Sequence, residues 1–159
     1  MPTSLTPDEM RAMVMEHSTG EQTRDWPRAI ATLTDHPVYE FYPYRIRITD
    51  IGSINEAWKR LLPLPCFNAA DGSEQIGYEE FVGPDSVMTV AEWSFLDPDG
   101  ERYRTKIAVR YGFEGSLMQS ETVFMDRSMT RYVDAAFDAS FLELPGVEVL
   151  SPREDQPTA

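Results

Sequence analysis

Acid–base chemistry on a small molecule needs an ionisable group held where water is scarce. The stretch GSLMQSETVFMD, residues 115–126, carries one candidate. It reads as a strand entered from a glycine turn, with Leu117, Met118, Val123, Phe124 and Met125 apolar and Glu121 charged in the middle. Glu121 is either a working carboxylate or half of a surface ion pair. A second candidate is Glu92 in SVMTVAEWSFL. A third is Glu40, set among Tyr39, Phe41, Tyr42 and Tyr44. Aromatic walls raise a carboxyl pKa by excluding water. The same pattern also describes a half-exposed strand with its polar residue outside. His36, in TDHP, is a candidate base or a turn residue. Glu79 and Glu80 are adjacent, so on a strand they point to opposite faces.

Strand register decides which of these groups face inward. The run ERYRTKIAVRYGF alternates cleanly, and Tyr103, Thr105, Ile107, Val109, Tyr111 and Phe113 form the expected buried set. If Leu96 opposes Glu101 across the DPDG hairpin, Glu92 opposes Thr105 and faces inward. A one-residue bulge at the turn sends it outward beside Arg104. Three loop residues in the next hairpin, Glu114 to Ser116, place Glu121 opposite Val109, facing inward and one diagonal step from Tyr111. With Glu114 and Gly115 alone in the loop, Glu121 opposes Ala108 and faces solvent near Lys106 and Arg110. The inward registers are the expected ones. They leave the two acids about 13 Å apart at ~3.3 Å per residue, too far to share a proton. Glu121 is then general base or acid, Tyr111 donates to a developing oxyanion, and Glu92 is a second acid or an orienting group.

The bulk of the chain narrows the partners. Its 159 residues, 42% hydrophobic and 26% charged, suit one globular domain with a single core. Acidic residues outnumber basic ones 27 to 14, and a net charge of −13 argues against nucleic acid and anionic membrane surfaces. No apolar run approaches the ~20 residues of a membrane span. MPTSLTPDEM lacks a basic, apolar leader pattern, so a cytoplasmic protein is expected. The single cysteine, Cys66 in LPLPCFN, allows no intramolecular disulfide and reads as a packing residue. Two histidines and one cysteine supply a nitrogen or sulfur metal site poorly. There is no D-x-D loop for calcium, no glycine-rich phosphate loop and no G-x-S-x-G elbow. The expectation is therefore no metal and no cofactor, which leaves unassisted acid–base chemistry.

The elements that must hold these groups follow in order. TPDE opens a first helix with Thr6 as cap and Glu9 completing a capping box. Met10, Met13, Val14 and His17 recur at helical spacing, and STGEQT interrupts the pattern; His17 is expected simply to lie on the helix face. A second helix, DWPRAIATL, is capped by Asp25. VYEFYPY and RIRIT read as strand, with Pro43 at an edge or bulge. GSINEAWKRLL is a third helix, capped by Ser53 and turning Ile54, Trp58, Leu61 and Leu62 to the core. LPLPCFNAADG is a long connection suited to a lid. Four strand-like runs follow, joined by GPD, DPDG and EGS turns, and MTRYVDAAF reads as a closing helical turn. Sequential strands with short joints predict an antiparallel meander. Helices segregated to one side of such a sheet make an α+β fold. One domain is expected over residues 1–145, with 146–159 a flexible tail.

From Thr6 to Phe137 the succession DWPRAIATLTDHPVYEFYP, GSINEAWKRLL, VMTVAEWSFLDPDGERYRTKIAVRYGFEG and SLMQSETVFMD resembles the nuclear transport factor two-like superfamily, in its SnoaL-like, polyketide-cyclase branch. The resemblance implies a cone-shaped barrel, a curved antiparallel sheet wrapped around three helices of the N-terminal half, with a deep apolar pocket. It implies a homodimer and a cofactor-free isomerase, lyase or cyclase working on an apolar, aromatic or polycyclic substrate. Tyr39, Tyr42, Trp58, Trp93, Val109 and Phe124 are the candidate substrate contacts. Ketosteroid isomerases carry their base on the first strand, where Glu40 or Phe41 falls. The superfamily's epoxide hydrolases place an acid on the last strand, where Glu121 falls. Their arginine between acids, and the histidine pair of the dehydratases, have no counterpart here. The alternatives are a ligand-binding protein without chemistry and a dimerisation module using the outer sheet face.

Overall fold

The computed structural model describes residues 2–67, 73–97 and 99–150. Helix α1 spans Pro7–Thr23 and starts at the expected capping box, in which Thr6 accepts the Glu9 N–H and the Glu9 carboxylate accepts the Thr6 N–H. It does not stop at STGEQT. It continues through that stretch and closes on Arg24 in the left-handed conformation. Packing explains the continuation: α1 lies against the short α2 (Trp26–Ile30), and Gly20 is the point of closest approach. A Cβ on Gly20 would stand 2.7 Å from the Ala29 backbone nitrogen. Helix α3 (Ile51–Leu61) is capped by Asp50 rather than Ser53, since the Asp50 carboxylate accepts the Ser53 N–H at 2.9 Å. Its buried face is Ile54, Ala57, Trp58 and Leu61.

The strands are β1 (Leu33–Tyr42), β2 (Ile46–Ile48), β3 (Glu74–Val82), β4 (Ser86–Leu96), β5 (Arg102–Glu114), β6 (Leu117–Met125) and β7 (Val147–Val149). They form one 7-stranded sheet in the order β3-β4-β5-β6-β1-β2-β7. The meander from β3 to β6 is the expected one. The sheet is not antiparallel throughout, because β6 returns beside β1 in the parallel sense. Helix α3 and the connection after it carry the chain from β2 to the far edge, so the meander ends by closing onto its first strand. The short helices α4 (Thr130–Val133) and α5 (Ala139–Leu142) follow, with α4 inside the expected closing turn.

The expected tail at residue 146 starts as structure instead. β7 pairs antiparallel with β2, and the Leu150 N–H donates to the Arg45 carbonyl at 2.7 Å. The remainder of that tail, residues 151–159, lies outside the described residues, as do residues 68–72 of the expected lid. The concave face of the sheet and the helices bury Tyr39, Phe41, Phe95, Leu61, Met118 and Phe141 almost completely. Each such side chain contributes on the order of 1.5–3 kcal/mol. No described helix is long and apolar enough to cross a membrane.

Candidate functional site

The β5 alternation holds: Thr105, Ile107, Tyr111 and Phe113 are buried, while Arg102, Arg104, Lys106 and Arg110 are exposed. Neither hairpin keeps its expected register. Between β4 and β5, Leu96 opposes Arg102, leaving a loop from Asp97 to Glu101. The Asp97 carboxylate sets that length by accepting the Asp99 and Glu101 N–H groups at 3.0 and 2.8 Å. The one-residue change corrects the placing of Glu92. It opposes Lys106 on the outer face, 3.8 Å from the ammonium, and is not an interior acid.

Glu121 does face inward, by a route of its own. The loop is Gly115 and Ser116, and plain counting from it would set Glu121 opposite outward-facing Arg110. A bulge at Gln119 supplies one extra residue, so Tyr111 opposes Glu121 and both point to the core. Gly112 makes room for the bulge, since a Cβ there would sit 2.5 Å from Ser120 Oγ.

The residues around Glu121 come partly from α1. His17 continues the stripe of Met10 and Val14, and Glu21 follows one turn later. His17 is 1% exposed. Its Nδ1 lies 3.1 Å from the Ala29 carbonyl oxygen and 2.7 Å from Thr32 Oγ1. A carbonyl only accepts, so Nδ1 carries a proton. Nε2 faces three groups: the Tyr39 hydroxyl at 2.8 Å, Glu21 Oε1 at 2.9 Å and Glu121 Oε2 at 3.4 Å. Glu121 is 1% exposed, and its Oε2 has no hydrogen-bond partner among the described residues. The Tyr111 hydroxyl is within reach of Ser18 and Thr89.

The electrostatics follow from burial and crowding. Burial alone would strip His17 of its second proton, but the Glu21 charge, the hydrogen bond to Glu21 and the pull of the nearby Glu121 carboxylate outweigh it, and the ring is pushed up to about 10. Burial and then the Glu121 charge push Glu21 up to about 7, against the pull of His17. Burial first, then the Glu121 charge, holds Tyr39 and Tyr111 well above the usual phenol range, so both stay neutral donors. The cluster can therefore take, hold and pass a proton in a space closed to water.

Of the expected site residues, Tyr39, Tyr111 and Glu121 meet here. Glu40 does not join them. It lies on the outer face and is held by Arg47 at 2.8 Å. His36 sits in an irregular stretch of β1, exposed, beside a surface groove of about 470 Å³ that Gln119 and Glu114 also line. Tyr42 and Phe124 stack on each other outside the sheet, 5.3 Å between ring centres, and so are not interior contacts. Trp58 is buried on α3, and Trp93 and Val109 are half-buried on the inner face. Burial pushes the Cys66 thiol up to about 12, in keeping with a packing role. Sequence reasoning places His17 only on the helix face and misses its pairing with Glu21, because their i, i+4 spacing counts only if α1 passes through STGEQT.

No family model matches the sequence, and no curated protein matches it. Solved structures match the fold. An NTF2-like protein from Burkholderia xenovorans LB400 superposes with a TM-score of 0.62 at 10% identity, over 85% of this chain and 100% of that one. A protein from Kribbella flavida DSM 17836, provisionally assigned as a ketosteroid isomerase, gives 0.59 at 16% identity over 76% and 80%. A provisionally assigned polyketide cyclase from Xanthomonas campestris pv. campestris gives 0.58 at 11% identity over 80% and 98%. The chain has the cone-like α+β architecture. That architecture is the NTF2-like fold, as the resemblance implied. At these identities the likeness carries the fold and not an activity.

Proposed function

We propose that the protein is a small-molecule enzyme performing acid–base chemistry without a cofactor on an apolar, aromatic or polycyclic substrate. Isomerisation, lyase cleavage and cyclisation all begin with the step this site suits, proton abstraction beside a carbonyl or phenol. The observation that carries the reading is Glu121 Oε2: a buried acceptor without a hydrogen bond, 3.4 Å from a histidine that can share its proton. Glu121 takes the proton, His17 and Glu21 spread the charge, and Tyr111 or Tyr39 donates to the developing oxyanion. Trp58 and Val109 supply apolar contact, and the molecule works as a homodimer.

The test is hydrogen–deuterium exchange. A panel of aromatic and polycyclic ketones and phenols is incubated with the protein in D₂O and followed by NMR. Exchange beside the carbonyl or hydroxyl is expected, and Glu121→Gln should slow it by about 10²-fold or more while the protein still melts cooperatively. Equal exchange in that variant would remove Glu121 from the scheme.

A second reading, ligand binding without chemistry, is favoured by Trp58 Nε1 and Thr105 Oγ1, both buried without partners. Thr105 lies six residues along β5 from Tyr111, about 20 Å at ~3.3 Å per residue, beyond the reach of Glu121. A melting shift without exchange, unchanged in Glu121→Gln, would select it.

A further inference from the structure

We propose that His17, Glu21 and Glu121 also form a buried binding site for a divalent transition metal ion of the zinc class, the metal taking the place of the proton on His17 Nε2. One donor atom from each residue lies within 4.8 Å of the others. Nε2 stands 2.9 Å from Glu21 Oε1 and 3.4 Å from Glu121 Oε2. Two ligands on a tetrahedral ion with bonds of ~2.0–2.1 Å stand roughly 3.3 Å apart, so these pairs need to move only by tenths of an ångström.

Three independent features point the same way. Glu121 Oε2 is a buried acceptor without a hydrogen bond, its ion-pair partner Nε2 standing 3.4 Å away, and a metal between the two supplies a direct bond to each. His17 is already held as ligating histidines are, with Nδ1–H tied to Ala29 O and Thr32 Oγ1 and the other nitrogen aimed at the acids. In that same arrangement the Tyr39 hydroxyl reaches the Glu121 carboxylate, the place of an outer donor that orients a ligand. The third feature is charge. A neutral imidazole and two carboxylates carry −2, which one divalent cation cancels, whereas without it protons must be held on both His17 and Glu21 to reach the same neutrality. One nitrogen with few oxygens suits zinc, not calcium, which takes 6–8 oxygens.

Binding releases the Nε2 proton to solvent, one per ion, together with any proton on Glu21. The loaded cluster has His17 and Glu121 engaged as ligands, so the ion opposes the proton transfer proposed above. The site itself does not rest on that activity.

The experiment uses the full chain, stripped with a chelator and refolded with cobalt(II) or zinc so that slow entry into a closed core cannot hide binding. One cobalt per chain should survive gel filtration and show the visible ligand-field bands of a four-coordinate site. With ¹⁵N-labelled histidine, zinc should move the His17 resonances and leave those of His36, the other histidine of the chain, in place. Glu121→Gln and Glu21→Gln should each weaken cobalt binding by more than ~10-fold. No cobalt retained by the native chain, shifts at His36 alone, or equal retention in both variants would overturn the site. If a variant fails to fold, the histidine spectrum of the native chain decides alone. The exchange assay is run with chelator present, so its failure and this one are separate results.

Discussion

His17 is the residue on which the buried charges balance. Removing it by His17→Ala leaves Glu21 and Glu121 facing each other without a cation, and should cost about 3–5 kcal/mol in urea denaturation. Glu121→Gln should cost less, because His17 still pairs with Glu21 at 2.9 Å. The same groups set a pH dependence. Glu21 is raised from 4.5 to about 7 by burial and the Glu121 charge, and His17 from 6.5 to about 10, where the Glu21 charge and hydrogen bonds overcome burial. Across both windows the folded chain binds more protons than the unfolded one, so the contribution of these two groups is complete below about 4.5 and declines as pH rises toward about 10. Tyr39 and Tyr111 face the cluster and stay neutral there. The carboxyls held low by hydrogen bonds, Glu9, Glu16 and Asp138, titrate below this range and leave it clear. Melting temperatures in chelator should fall through that interval, and a flat profile would contradict the assigned proton count. Cys66, whose thiol burial holds at about 12, should resist alkylation in the native state and react after denaturation.

At the level of elements, two glycines mark places where a Cβ has no room, one against backbone and one against a side chain, and their substitutions should behave differently. Gly20→Ala drives a methyl against the α2 backbone at 2.7 Å and should cost on the order of 1–3 kcal/mol, with no side-chain change able to relieve it. Gly112→Ala clashes with the Ser120 side chain alone, Arg110 Nη1 lying at an ordinary 3.5 Å, so the double variant with Ser120→Gly should recover most of the loss. Comparing the melting temperatures of the three proteins checks both. These contacts also explain what the sequence could reveal. The alternation of Tyr103 to Phe113 and the turn chemistry of GPD, DPDG and EGS were enough to place β3 to β6. The registers were not legible, because Asp97 lengthens one loop through its side chain and Gln119 bulges out of one strand. Hydropathy reports neither event, yet together they turn Glu92 out and Glu121 in. The continuation of α1 was hidden in the same way, by a polar, glycine-bearing stretch that only the α2 contact makes helical.

Across the whole molecule, the outer face of the sheet carries an apolar strip: Phe81 beside Met88, then Val90, Ala108, Phe124 and Tyr42 along adjoining strands. Phe81 and Phe124 are 56% and 43% exposed, which a solitary domain rarely tolerates in a contiguous patch. If the chain pairs as proposed, this strip is the face expected to be covered. Phe124→Glu should then halve the mass seen in sedimentation velocity, and an unchanged mass would place the interface elsewhere. At the opposite margin, β7 is three residues of polypeptide laid along β2. Shear that ribbon off after residue 145 and the main-chain donors and acceptors of Arg45 to Ile48 become a template for any passing strand. Such a shortened chain should turn cloudy in a light-scattering cell at concentrations where the full one stays clear.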